Sequence, residues 1–304
     1  MEFDVVMPGY LFCDLIFRGL PEIPSMGEEV FGTSLDIKVG GAFNSLSLMS
    51  SFGLSVGLIA DLGNDIFSEF IRSEFAPRGI STLLLRNHQK PMPAITAVLS
   101  FPSDRAFVTY MGEQDTSEPF TAEVLSQLSV KHLHLPGLKE AFVSKDLIRE
   151  AIKQNIKISL DCQWHPSLMD SPQIWDLLDK IDVFLPNDKE ALYLAKTNDI
   201  ENALDIISRK TKSTVIKLGK DGAIGRDQIG TYNVPSLDVD VIDTTGAGDS
   251  FNAGFIYAYL KNYPFVKSIA YGNVCGGLSV TVPGGGGVFP SPEQFEELLS
   301  GLLK

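Results

Sequence analysis

Residues Asp243–Phe255 read DTTGAGDSFNAGF. A β-like run, LDVDVID (Leu237–Asp243), leads into this stretch, and a helix-like run, SFNAGFIYAYLK, leads out of it. In a parallel α/β sheet, ligands bind beyond the carboxyl ends of the strands, so a glycine turn between strand and helix stands where a ligand would sit. Gly246, Ala247 and Gly248 can aim backbone N–H groups at an anion, and the N-terminus of the following helix adds partial positive charge. Asp249 comes next. A carboxylate beside an anion site is electrostatically unfavourable unless it has chemistry to perform, and taking a proton from an attacking hydroxyl is such chemistry. The plainer assignment is an aspartate that caps the helix. No lysine follows the turn, so this is not the G-x-x-x-x-G-K-[ST] phosphate loop. Nor is it G-x-G-x-x-G: Phe251 stands at the last glycine position, and the first strand ends in MPGY. Hydride transfer on a nicotinamide cofactor is therefore disfavoured.

Upstream of this turn the pattern is regular from about residue 120. TAEVLSQLS reads as helix, VKHLHLPG as strand, SKDLIREAIKQN as helix and KISLDCQW as strand. SPQIWDLLDKI (helix), DVFLPN (strand), DKEALYLAK (helix) and STVIKLG (strand) continue the alternation. Such alternation means βαβ units on a parallel sheet with helices on both faces. Near the start, FDVVMPGYLFCDLIF reads as a buried strand ending in a loop at Pro8-Gly9, with Asp14 just beyond. AFNSLSLMSSFG is helical and closed by Gly53. SVGLIADLG is a strand. NDIFSEFIRSEFAPRG is an amphipathic helix with Ile66, Phe67, Phe70, Ile71 and Phe75 on its apolar face and Asn64 or Asp65 at its start. AITAVLSFPSDRAFVTYMG holds two β-like runs around the turn signal PSDR, and with EEVFGTSLDIKVG it can form a small separate sheet. His132 and His134 share one strand face with no third ligand in view, which favours packing or hydrogen bonding over metal. PGGGGVF, Pro283 to Phe289, reads as a tight loop before a closing helix.

Composition narrows the function. The chain has 304 residues and a formal net charge of −13, which disfavours a nucleic-acid binder, since that needs a basic face. A nucleotide-binding enzyme stays open, because it uses backbone amides and local dipoles rather than net charge. The three cysteines, Cys13, Cys162 and Cys275, are far apart and form no C-x-x-C pair, so buried free thiols in a reducing cytoplasm are expected. The first residues, MEFDVVMPGY, have no basic n-region, and no apolar run reaches the length of a membrane span. A soluble, cytoplasmic protein without membrane contact is the expectation.

DTTGAGDSFNAGF resembles the C-terminal signature of the ribokinase-like (PfkB) carbohydrate kinases. Three further landmarks follow the family's order. GGAFNS (Gly40–Ser45) resembles the N-terminal di-glycine motif, LPNDKEA resembles the N-x-x-E motif, and IKLGKDGAIG resembles the nucleotide-binding strand and turn. The resemblance spans essentially the whole chain. It implies a single ribokinase-like α/β domain over 1–304, with a central, mostly parallel sheet flanked by helices and a small β-sheet lid from roughly 15–38 and 93–112. It implies ATP, Mg²⁺ and a sugar or sugar-like alcohol as ligands, and a homodimer formed through the lid.

Residue by residue, the resemblance assigns Asp249 as the base, with the amides of Gly246, Ala247 and Gly248 as the anion hole. Asp14, Gly40, Gly41 and Asn44 would hold the sugar; a turn with a helix cap explains GGAFN equally well on its own. Asn187 and Glu190, three apart at a helix start, share one face, and their hard oxygens suit Mg²⁺, though a dipole-favoured acid at a helix start has the same pattern. Lys217, Gly219 and Gly222 would line the nucleotide in what also reads as a hairpin turn. Asn273 would lie near the adenine unless it is simply a polar residue on a surface helix. Asp243 and Thr245, with the loop Pro283–Ser291, match the family's K⁺ site. The chain departs from the pattern in two places. GGAFN lacks the lysine of GGKGAN, and LDCQWHP (Leu160–Pro166) replaces D-x-N-x-R without its arginine, so that Gln163 or Trp164 alters the site. The expected activity is ATP-dependent phosphorylation of a sugar hydroxyl. A nucleoside kinase, with Phe101, Phe107 or Tyr110 stacking on the base, and a non-catalytic sugar sensor are the alternatives.

Overall fold

The computed structural model describes residues 2–102, 104–112, 122–282 and 292–303. In chain order the strands are β1 (Glu2–Pro8), β2 (Leu11–Arg18), β3 (Ser34–Gly41), β4 (Val56–Leu62), β5 (Leu85–Asn87), β6 (Ile95–Ser100) and β7 (Arg105–Tyr110). They continue as β8 (Ser129–Leu135), β9 (Lys157–Asp161), β10 (Val183–Leu185), β11 (Ser213–Lys217), β12 (Ala223–Arg226) and β13 (Thr231–Val234).

Nine of these form one sheet in the order β13-β12-β11-β10-β9-β8-β1-β4-β5. All pairings from β11 to β5 are parallel, and the β11–β12–β13 edge is antiparallel. The chain enters at β1, runs outward through β4 and β5, then returns to β8 on the other side of β1. That reversal leaves a crevice at the carboxyl ends of β1 and β8. Both sheet faces are covered. Val5, Met7 and Leu58 face the helices Phe43–Ser51, Ala247–Leu260 and Phe265–Ser279, while Val6, Leu133 and Leu135 face Lys145–Lys153, Gln173–Leu178 and Ile200–Ser208. Burial on both faces is why these strands read as continuous apolar runs.

The small residues after the glycine turn serve close helix packing. A Cβ on Gly254 would meet Cys275 Sγ at 2.5 Å, and one on Gly272 would meet the Phe251 ring at 2.8 Å. All three cysteines are buried free thiols. His132 and His134 are also buried. Both bond Ser159 Oγ, at 2.7 and 2.8 Å, and burial holds both rings neutral with pKa values near 3.

The remaining four strands form a second sheet, β3-β2-β6-β7, in which β2 and β6 are parallel and the outer pairs antiparallel. Its strands reach back to Leu11 and forward to Gly41, beyond the expected 15–38. Register sorts its faces. Asp14, Thr96 and Thr109 stand opposite one another on one face, with Val98 and Phe107 beside them. The other face carries Leu35, Ile37, Val108 and Tyr110, all at least half exposed.

Four sequence expectations need correction. Asp14 lies within a strand, because Gly9-Tyr10 divides the first apolar run into β1 and β2 rather than ending it. Leu237–Asp243 is not a strand: Pro235 closes the edge strand β13 because it lacks an N–H, and the amides of Ile242 and Asp243 bond Val280 O instead. The helix capped by Asp65 spans Ile66–Ser73, and Ile66 points to solvent at 72% exposure instead of joining the apolar face. The helix Ile200–Ser208 was not anticipated.

Candidate active site

The glycine turn does form at the head of a helix. Gly246 takes φ +70°, the left-handed region open to glycine, and is the N-cap of helix Ala247–Leu260. No side chain caps this helix; the Ala247 N–H donates to Thr244 O at 3.3 Å, and the amides of Gly248 and Asp249 have no capping side chain. Asp249 therefore does not act as the cap. Its Oδ1 instead accepts a hydrogen bond of 3.1 Å from Ser45 Oγ, across 204 residues of sequence. Ser45 lies on the helix Phe43–Ser51 that follows Gly40–Gly41. Burial, reinforced by the negative charge of Asp161, lifts the Asp249 carboxyl to a pKa of about 6; Ser45 and Lys217 oppose the rise.

The fold supplies the lysine that the sequence lacks next to the turn. Lys217 ends β11, and a Cβ placed on Gly248 would lie 3.6 Å from its Nζ. Lys217 Nζ donates to Asp161 Oδ1 at 2.9 Å and to Asn252 Oδ1 at 3.3 Å, while Asn252 Nδ2 donates to Asp161 Oδ2 at 2.7 Å. This triad comes from two strand ends and one helix. Asp161 and Asn252 were not among the residues singled out from the sequence. Their only signals were the carboxyl end of a parallel strand and a four-residue offset from Gly248 on one helix face.

A cleft of ≈ 840 Å³ opens beside this triad, running from Asn187 and Glu190 past Lys217 and Gly248 to Gly222 and Asn273. Gly219, in the turn between β11 and β12, and Gln163 also line it. Asn187 and Glu190 form a reciprocal capping box, each side chain accepting the other's backbone N–H at 2.9 Å. The capping role is therefore realised in this pair. Burial and nearby Asp161 push the Glu190 carboxyl up, a strain that a cation would relieve. Mg²⁺ keeps several waters and needs only one or two carboxylates beside phosphate oxygens, so Glu190 in this cleft fits it. Among the described residues no group of three or more His, Cys, Asp and Glu is arranged to hold a metal without phosphates. Asn273 is buried rather than on the surface, and its Nδ2 donates to Val234 O and Pro235 O at 2.9 Å each, fixing one wall of the cleft.

Asp14, Gly40 and Gly41 gather where β2 and β3 pair, and Asn44 stands at the start of the following helix, one residue before Ser45. Asp14 is partly buried, and desolvation raises its pKa to about 6 against a bond from Thr96. A Cβ on Gly40 would stand 2.0 Å from Asp14 Oδ2, and one on Gly41, at φ +69°, 2.3 Å from Tyr10 O. The two glycines thus hold the space that Asp14 and the chain turn occupy. Asn44 is exposed at the helix start.

Asp243 and Thr245 contact each other. Asp243 Oδ1 accepts from Thr245 N (2.8 Å), Thr245 Oγ1 (2.6 Å) and Arg105 Nη1 of β7 (2.6 Å). With three donors converging, this oxygen fits a guanidinium and not a monovalent metal ion. The loop Pro283–Ser291, expected to complete a K⁺ site, lies outside the described residues.

The family model for pfkB family carbohydrate kinases matches residues 24–292. The chain belongs to this family. It is 26% identical over 290 residues to a ribokinase of Haemophilus influenzae, covering 92% of this chain and 93% of that one. It is also 26% identical over 301 residues to a 2-dehydro-3-deoxygluconokinase of Bacillus subtilis, covering 93% and 90%. The fold is shared with an E. coli chain described as a candidate ribokinase II, solved in complex with ATP and Mg²⁺, at TM-score 0.82, 19% identity and 99% coverage of both chains.

In this family member the stretch that replaces D-x-N-x-R divides in two. Gln163 lines the cleft with a left-handed backbone, φ +51°, whereas Trp164 leans edge-on against Tyr193 at 5.1 Å. The Gly40 contact gives a direct test of the kinase. Gly40→Ala displaces the Asp14 carboxylate and is expected to raise the KM for the acceptor by about tenfold or more, a typical cost of misplacing a binding group. The KM for ATP stays unchanged. Steady-state kinetics with each substrate varied in turn reads this, and an unaltered acceptor KM would refute the role given to Asp14.

Proposed function

We propose that the chain transfers the γ-phosphoryl group of ATP to a hydroxymethyl group of a small sugar or sugar-like alcohol. The observation that carries this reading is the Ser45–Asp249 hydrogen bond, because it joins the di-glycine region, which would hold an acceptor, to the glycine turn, which would hold a phosphoryl group. Asp14 and Asn44 bind and orient the acceptor. Asp249, ionised above pH 6, receives the hydroxyl proton as the acceptor oxygen bonds to the γ-phosphorus and the bond to the β-bridging oxygen breaks, releasing ADP. Phosphoryl transfer has a loose transition state with charge spread over the equatorial oxygens, so positioning and charge stabilisation carry the catalysis. The amides of Gly248 and Asp249 and the Lys217 ammonium meet that charge; one such donor is typically worth roughly 3–4 kcal/mol. Asn187 and Glu190 would hold Mg²⁺, which would supply positive charge to the phosphates of ATP.

The second sheet covers the acceptor with its Asp14 face and excludes water. Its opposite face, with Leu35, Ile37, Val108 and Tyr110 exposed, is an apolar patch of the kind that pairs with a second copy. A homodimer follows, and Ile37→Glu with Val108→Glu is expected to halve the sedimenting mass at micromolar concentration. A parent already monomeric there would refute the pairing. Three buried free thiols fit a reducing cytoplasm, and among the described residues no helix is long and apolar enough to cross a membrane.

A nucleoside acceptor has one observation in its favour: Phe107, 58% exposed, shares the sheet face of Asp14, whereas Tyr110 is on the opposite face. An ADP-release panel of pentoses, hexoses, sugar acids and nucleosides, with Asp249→Asn as the blank, tests the reading. Turnover of a sugar that vanishes in the blank supports it. Turnover of nucleosides alone transfers the assignment to them, and acceptor binding without ADP release from any panel member would make the chain a sensor.

A further inference from the structure

The carboxylate of Asp243 opens the glycine motif, and its Oδ1 gathers three donors. Two come from Thr245, at 2.8 and 2.6 Å, and close a tight turn immediately before Gly246. The third is a full positive charge, Arg105 Nη1 at 2.6 Å, from a residue 138 positions away. The two side chains are only 22% and 14% exposed, so solvent and salt screen the pair weakly. Arg105 begins β7, the strand that returns from the hairpin tip of the second sheet, where it stands opposite Ser100 on the Asp14 face. A residue of the covering sheet is thereby fastened to the loop that presents the anion-binding amides.

A guanidinium and a monovalent metal ion placed at this oxygen do the same electrostatic work. Each neutralises a carboxylate that would otherwise repel phosphates bound a few residues away, and each stiffens the turn. They differ in origin: a metal ion comes from solution and is lost to dilution, whereas a guanidinium is always charged and arrives with the chain.

We infer that Arg105 is a built-in monovalent cation for Asp243, making this kinase independent of K⁺ and tying the position of the covering sheet to the phosphoryl-binding loop. Arg105 acts through Asp243 and Thr245 and is a positioning residue. The inference rests on the proposed phosphoryl transfer for its kinetic consequences but not for its physical ones.

The experiment compares the parent, Arg105→Ala and Arg105→Lys in KCl and in N-methylglucamine chloride at equal ionic strength. Two quantities are read: kcat with the best acceptor, and thermal stability with and without ATP. The parent is expected to show equal rates and equal melting temperatures in both salts. Arg105→Ala is expected to lose about tenfold or more in kcat in N-methylglucamine, in line with the cost of a misplaced binding loop. K⁺ or millimolar guanidinium restores part of that rate, and Arg105→Lys retains more of it than the alanine variant. In the melting experiment only Arg105→Ala gains stability from K⁺. A parent stimulated more than about fivefold by K⁺ would overturn the inference, as would an alanine variant matching the parent in both salts. Should the parent transfer no phosphoryl group at all, the proposed activity fails while the salt-specific melting still decides the role of Arg105.

Discussion

Asp249→Asn is expected to lower kcat by about a thousandfold or more, toward the upper end of what a positioned base contributes, while ATP still binds with parental affinity. Asparagine keeps the size of the side chain and can still accept from Ser45, so the loss isolates proton transfer from packing. The parent should also lose kcat/KM below pH 6, because Asp249 and Asp14 both have pKa values of about 6 and both are needed ionised. A pH–rate profile flat down to pH 5 would contradict this. The stability consequence has the opposite sign. The pKa of Asp249 is higher in the folded than in the unfolded chain, so the native state binds the proton more tightly and ionisation costs stability. That cost is absent below the unfolded value of 3.8, grows between 3.8 and 6, and is complete above 6. Asp249→Asn should therefore be more stable than the parent at pH 8, by about 1–3 kcal/mol, and no more stable at pH 4. Thermal melts at the two pH values separate this from a general packing effect.

Lys217→Met is expected to damage both activity and folding. Its ammonium pairs with Asp161 where both side chains are nearly buried, at 12% and 10% exposure. Removing one partner of a buried pair leaves an uncompensated charge and typically costs about 3–5 kcal/mol. Turnover should fall by more than about a hundredfold, since a cation beside the Gly248 amide is lost. The double variant Lys217→Met/Asp161→Asn distinguishes the two effects. It should recover most of the stability, because the orphaned charge is gone, yet none of the turnover. Full recovery of turnover would mean that Lys217 is structural only.

The parallel sheet was legible because its strands are buried on both faces and separated by amphipathic helices of ordinary length. The glycine turn was legible because few residues other than glycine accept φ +70°. Legibility failed where tertiary contacts override local pattern. Leu237–Asp243 alternates like a strand, but β13 ends at Pro235, and the segment bonds a helix end instead. Asn273 has the sequence context of any helical polar residue, and only the fold reveals it as the clamp on Val234 and Pro235. Asp161 and Asn252 stand inside quoted stretches, LDCQWHP and DTTGAGDSFNAGF, but received no role because they meet Lys217 only when β9, β11 and a late helix converge. The apparent lack of a lysine beside the turn was a fact about adjacency in sequence, whereas electrostatics depends on adjacency in space.

The hydrogen bond between Ser45 and Asp249 has a consequence for synthesis. The strand β1 becomes an inner strand of the sheet, and the helix after Gly40–Gly41 packs against helix Ala247–Leu260, which is made much later. A growing chain can carry the proposed acceptor side, the Asn187–Glu190 cap and Lys217 and still have neither the proposed base nor the proposed anion loop. Competence therefore arrives in one late step, when the last elements close over the first. On the proposed mechanism, ATP meets a working base only after helix Ala247–Leu260 has closed over the helix Phe43–Ser51.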